Sequence, residues 1–186
     1  TGSDQDSTGV VPAYVAATGG SPCAGTTCGD YKIHAFTGPG TLCVTNAGNV
    51  AGSNVIDYLI VGGGGGAGGS NNPGSAGGGG GGGGGGFRET KQPGAPWTAS
   101  PLALAGGGLS LGTGATSVAV GAGGGSGGSG GATTSGSLSS VSATQSAGGG
   151  YGGVNNLSAD GGDGGSGGGT SFQARFEPDR GLGNTP

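Results

Sequence analysis

Ten glycines run unbroken from Gly77 to Gly86. Such a run has no side chains with which to make an amphipathic helix or one face of a conventional core. Glycine also loses more backbone freedom on folding than any other residue, at roughly 1–2 kcal/mol for each residue fixed. One tract cannot offset that through backbone hydrogen bonds worth about 1 kcal/mol net apiece. Either the run stays a coil, or it packs cooperatively with other runs of the same kind.

The rest of the chain favours packing. Glycine supplies 57 of 186 residues, and the tracts keep a register of three. Gly65-Gly66-Ala67-Gly68-Gly69-Ser70 is two Gly-Gly-X triplets, and further triplets run from Gly124 and from Gly161. Three residues per turn is the repeat of the left-handed polyproline-II helix, which has no internal hydrogen bonds. Side chains at every third position line one edge and leave two edges of bare backbone. Neighbouring helices can then close until N–H meets C=O, as buried backbone requires. The structural glycines on this reading are Gly77, Gly80, Gly83, Gly86, Gly124, Gly127, Gly130, Gly161, Gly164 and Gly167. A Gly/Ser linker is the competing reading, but these tracts recur over about one hundred residues with strands threaded between them. Collagen is excluded, because the nine prolines follow no Gly-X-Y period. Charged residues make up 8% of the chain, far too few for an ordinary disordered tail.

The strands read as follows. Tyr31–Phe36 and Thr41–Thr45 flank a turn at Gly38-Pro39-Gly40, and Asn46–Asn49 is a second turn. Val55–Val61 is the strongest strand, so rich in β-branched and aromatic residues that it is expected at the centre of a sheet. Ala115–Val120 is a further strand and Leu138–Thr144 a weaker one. Ser171–Glu177 alternates, with Phe172, Ala174 and Phe176 toward a core. No segment has the 3.6-residue apolar period of a helix. The expectation is an all-β chain with packed polyglycine-II segments and almost no α-helix. Residues 1–30 read as an extended lead-in, 31–177 as the domain and 178–186 as a tail. The polar start, Thr1–Ser7, is unlike a signal peptide and fits a processed product or a piece of something longer.

Familiar catalytic and cofactor patterns do not assemble. Gly-x-Gly-x-x-Gly recurs trivially inside the tracts, but no helix pattern follows Val61, as a dinucleotide site requires. His34 is the only histidine, and no serine–acid pair is spaced to use it. Three cysteines cannot all pair within one chain. Cys23 and Cys28 frame a short loop that a bridge would close, and Cys43 reads as a small buried thiol. The cysteines and His34 do not form the two close pairs of a zinc site. Asp160 and Asp163 lack the partner aspartate of the calcium-binding nonapeptide. With five Lys and Arg residues, the chain has no basic footprint for nucleic acid. It also has no apolar run long enough for membrane insertion. A non-enzyme without cofactor is expected.

Specific resemblance begins at Tyr31-Lys32-Ile33-His34-Ala35-Phe36-Thr37-Gly38-Pro39-Gly40-Thr41. It continues through Ile56–Gly66, Gly86-Phe87-Arg88-Glu89 and Ser117–Gly124. Together these stretches, over about residues 31–170, resemble the glycine-rich domain of phage tail-fibre and tail-tip proteins. The resemblance implies a small β-sandwich-like base carrying polyglycine-II segments on a virion. It also implies a homo-oligomer, most simply a trimer, with other tail proteins as partners. Some related fibre-tip adhesins present loops to a bacterial surface receptor, here a surface carbohydrate or an outer-membrane protein. The cysteines and the insert Gln92–Pro101 depart from the pattern. A capsid decoration protein is the alternative, and a glycine-rich ice-binding protein a further one. Asp160 and Asp163 on an exposed triplet edge weigh against ice, because an ice face needs small uncharged residues.

Glycine tracts offer nothing with which to discriminate among ligands, so recognition is expected from the inserts. One carries Lys91, Gln92 and the only tryptophan, Trp97; the other carries Tyr151, Asn155 and Asn156. Rings supply rigid contact area at low entropic cost. The competing role for Trp97 is to cap the glycine lattice, and burial separates the two.

Overall fold

The computed structural model describes residues 9–70, 78–105, 107–128, 133–155, 160–172 and 180–183. Among them the chain is all-β, with no helix. The strands are β1 (Val15–Thr18), β2 (Thr26–Cys28), β3 (Tyr31–Ile33), β4 (Gly40–Ala47), β5 (Leu59–Val61), β6 (Phe87–Lys91), β7 (Leu104–Ala105), β8 (Gly114–Ala119), β9 (Ser139–Val141) and β10 (Thr144–Ser146). Two compact units share them: Thr1–Leu59 with Glu89–Val118, and Ile60–Arg88 with Ala119–Pro186.

The first unit holds the conventional core. β4 is its central strand, pairing antiparallel with β1 (Val15↔Ala47, Thr18↔Cys43) and with β8 (Gly40↔Val118, Val44↔Gly114). Leu42 and Val44 point inward from β4 and meet Leu111, with Val15, Phe36, Ile56 and Leu109 packed around them. Strand alternation turns the residue between them outward, so Cys43 is an exposed thiol and not the buried one expected. Cys23 and Cys28 are also free and exposed. The turn after β4 uses Gly48 at φ +69°, where an added Cβ would run into the Ser53 carbonyl.

Two sequence expectations change here. The described part of the lead-in is structured: β1 joins the main sheet, and β2 pairs with a shortened β3 across Gly29-Asp30. Val55–Val61 does not form one central strand. Ile56 exchanges backbone bonds with Leu109 (2.9 Å each way), and the Thr90 hydroxyl oxygen accepts the Tyr58 N–H at 3.1 Å. The ladder is thereby limited to Leu59–Val61, where Ile60 is buried while Leu59 and Val61 stay more than half exposed.

The second unit is the glycine lattice. Gly62, Gly65 and Gly68 donate to the carbonyls of Gly86, Gly83 and Gly80, a register of three between antiparallel tracts. Gly80, Gly83 and Gly86 donate in turn to Gly153, Gly150 and Ala147. Gly149, Gly152 and Asn155 donate to Gly63, Gly66 and Gly69, here with the tracts parallel, and Gly124 and Gly127 donate to Gly64 and Ala67. These bonds lie between 2.7 and 3.0 Å. None of the described tract glycines has a positive φ. A three-residue repeat of lateral bonds, with no bond inside tracts 62–70, 78–86 or 147–155, is the polyglycine-II arrangement.

Neighbours decide which edge of each tract must be bare. In 62–70, a Cβ on Gly62, Gly65 or Gly68 would overlap a carbonyl of tract 147–155, and one on Gly63 or Gly66 a carbonyl of tract 121–128. The third edge is open, and it carries Ala67 and Ser70. In 147–155 every edge is occupied: Gly148, Gly149 and Gly150 would each collide, with Gly136, Gly83 and Gly162 respectively. This short triplet occupies the buried centre. The unbroken run is less constrained, because Gly78 and Gly81 would meet nothing within 4 Å.

The triplet run from Gly161, expected as one extended tract, bends at 164–166 and folds back on itself, with Gly168 donating to Gly162 at 2.9 Å. A Cβ on Gly161 would overlap the Gly168 carbonyl, and one on Gly167 the Gly181 carbonyl, while Gly164 donates to Leu182 at 3.1 Å. Gly77 and Gly130 lie outside the described residues. Residues 180–183, expected as tail, dock on the lattice: Gly181 donates to Gly168, and Asp163 Oδ1 accepts the Leu182 N–H at 2.6 Å. Phe172 is 79% exposed, not core-facing. Its N–H binds the Gly78 carbonyl, continuing the lattice register, so three-fold geometry and not strand alternation sets where its ring lies. Ala174 and Phe176 lie outside the described residues. Among the described residues no helix is long and apolar enough to cross a membrane.

Candidate functional site

The first insert lies wholly in the first unit. After β6 the chain turns at Gln92–Ala95, crosses over, turns again at Ser100–Ala103 and returns as β7, parallel to β6 (Thr90↔Leu104, Lys91↔Ala105). Two carboxylates pin this excursion to the strand. Asp57 Oδ2 accepts the Gln92 N–H at 3.1 Å, and Glu89 Oε2 accepts the Ser100 N–H at 2.9 Å. Main-chain bonds close each turn: Ala95 N–H to the Gln92 carbonyl (3.2 Å) and Ala103 N–H to the Ser100 carbonyl (3.1 Å).

Between the two turns lies an open cleft of about 370 Å³, lined by Lys91, Gln92, Pro93, Gly94, Ala99, Ser100 and Ala103. Among the described residues that line it, Lys91 supplies the only charge. The Gln92 amide nitrogen is buried without a partner and lies where a side chain on Gly108 would have to go, so its amino group faces the fold. Gly94 takes φ +84° at the tip of the first turn.

Of the six residues expected to recognise a receptor, the structure brings two, Lys91 and Gln92, into this cleft. Trp97 is half-buried, set edge-on to Tyr31 with ring centroids 5.3 Å apart and planes at 78°. It ties the insert to the β2–β3 hairpin, so part of its surface is committed to packing. Asn155 is corrected outright. It is 0% exposed, because tract 147–155 is the buried tract of the lattice and not an insert. The ring of Tyr151 lies half-buried against Gly162, where a Cβ would collide with it. Asn156 lies outside the described residues.

Sequence reasoning missed Pro93, Gly94, Ala99, Ser100 and Ala103. Pro93-Gly94 is a turn signal, but nothing in the sequence says that the Ser100 turn folds back to face it. The chain matches no family model, no curated protein and no solved structure.

His34 lies just beyond β3, its Nδ1 2.8 Å from the Gly19 carbonyl oxygen. Among the described residues no three His, Cys, Asp or Glu side chains gather as a metal site would require.

Proposed function

We propose that this chain is a non-catalytic structural and attachment component of a phage tail fibre or tail tip. The observation that carries the reading is the division of labour within the chain. One unit is a hydrogen-bonded glycine lattice almost free of functional side chains, and the other carries a braced insert with a cleft. A lattice whose stiffness comes from backbone bonds tolerates little distortion, as a load-bearing rod requires. Recognition is left to loops held on a rigid base. The sequence resemblance to glycine-rich tail-fibre domains supports the same reading.

Gold-labelled antibody against the chain, imaged on intact particles, tests the placement. Label at the distal tail is the expected result, and label over the capsid would replace this reading with capsid decoration. Purified chain added to host cells should also slow adsorption of the particle. Distal label without any slowing would leave a structural role and remove the attachment role.

A further inference from the structure

We propose that the cleft between the Gln92 and Ser100 turns binds an acidic sugar residue, a single ring bearing one carboxylate. This deepens the attachment reading by naming a ligand class for the site.

The volume, about 370 Å³, lies at the small end of the range for small-molecule sites. Pro93, Ala99 and Ala103 give the lining a small apolar wall area without a bulky hydrophobic side chain. Such a wall suits the C–H face of a sugar ring. Lys91 and Ser100 belong to the same lining, and the Ser100 hydroxyl oxygen also accepts the Leu102 N–H at 3.3 Å.

Charge narrows the choice. No carboxylate among the described residues pairs with Lys91. The two acids that brace the turns each accept a main-chain N–H, Asp57 Oδ2 from Gln92 and Glu89 Oε2 from Ser100, while Asp57 Oδ1 is buried without a partner. An arriving carboxylate therefore meets an ammonium with no partner to displace, and a charge-assisted hydrogen bond is stronger than a neutral one. A polyanion does not fit, because the chain carries a net charge of -4 and only five Lys and Arg residues. Its field repels extended negative charge, so one charge on one ring matches what the cleft offers.

The two turns are braced before any ligand arrives, so binding orders little of the protein. The site is open, and a lone sugar should bind weakly, with Kd on the order of 1 mM. Many copies of the chain on one particle would multiply that.

The test uses the full chain with methyl glucuronide and methyl glucoside, followed by ligand-observed NMR and by amide shifts at Gly94 and Ser100. The glucuronide should bind about fivefold more tightly than the glucoside, the discrimination expected of one exposed charge pair. Lys91→Gln should erase that preference while leaving the amide spectrum of the core intact, and added salt should weaken the glucuronide alone. Equal binding of both sugars, glucuronide binding unchanged by Lys91→Gln, or no binding of either would overturn the assignment. Glucuronide binding at Gly94 and Ser100 that fails to compete with particle adsorption would leave the cleft standing and count against attachment. Adsorption blocked by the chain but not by its cleft ligand would do the reverse.

Discussion

The lattice makes opposite demands on two glycines, and a pair of alanine substitutions reads them. Gly152 lies in the buried tract, donating to Gly66 at 2.9 Å, and a Cβ there would overlap the Gly80 carbonyl. Gly152→Ala must push the two tracts apart by about the depth of that overlap, an overpacking cost of about 2 kcal/mol. It also strains bonds on either side, Gly152 to Gly66 and Gly80 to Gly153, each worth about 1 kcal/mol. The expected loss is about 3–4 kcal/mol, or roughly 10 °C in Tm for a chain of this length. Gly81→Ala meets nothing within 4 Å, and its backbone is outside the left-handed region. Its main effect falls on the unfolded chain, which loses freedom, so the folded state should gain about 0.5 kcal/mol. Differential scanning calorimetry gives both signs, and hydrogen exchange of the tract amides localises them. If Gly81→Ala destabilises as much as Gly152→Ala, or if both are silent, the edge-by-edge account of the lattice is wrong.

The alternation in β4 makes a similar contrast in the first unit. Leu42→Ala should cost about 3 kcal/mol and Cys43→Ala within about 0.5 kcal/mol, read by urea unfolding with Trp97 fluorescence; equal losses would place Cys43 in the core after all. Because Cys23, Cys28 and Cys43 are free and exposed, all three thiols should react with a disulfide reagent in the folded protein without denaturant. A thiol that titrates only after unfolding would contradict the described surface.

The sequence carried the fold class and the lattice register further than it carried the site. Gly65–Ser70 revealed its open edge directly, because Ala67 and Ser70 mark every third position. Gly77–Gly86 could not, since a tract without side chains shows no phase; its neighbours alone identify Gly78 and Gly81 as unconstrained. The buried tract was misread for a related reason. Tyr151, Asn155 and Asn156 suggested an exposed insert, yet Asn155 is placed by lateral bonds to distant tracts that local pattern does not encode. In β4 the alternation of Leu42 and Val44 was legible and should have turned Cys43 outward. Phe172 shows the opposite failure, an alternating pattern overruled by the three-fold register of the lattice. The cleft depended on a return path: Asp57 and Glu89 brace it from positions 35 and 11 residues away from the amides they hold.

The open edge at Gly78 and Gly81 bears on inheritance. Mutation can rewrite such positions without moving a backbone atom, while the colliding edges of the same tract admit almost no change. Two descendants of one lattice can therefore drift far apart in spelling while keeping the same geometry. An alignment that scores glycine alike at every position gives its weight to the wrong letters. A comparison that tracked position within the triplet, weighting the two closed edges and ignoring the third, would find kinship where ordinary identity finds low-complexity noise.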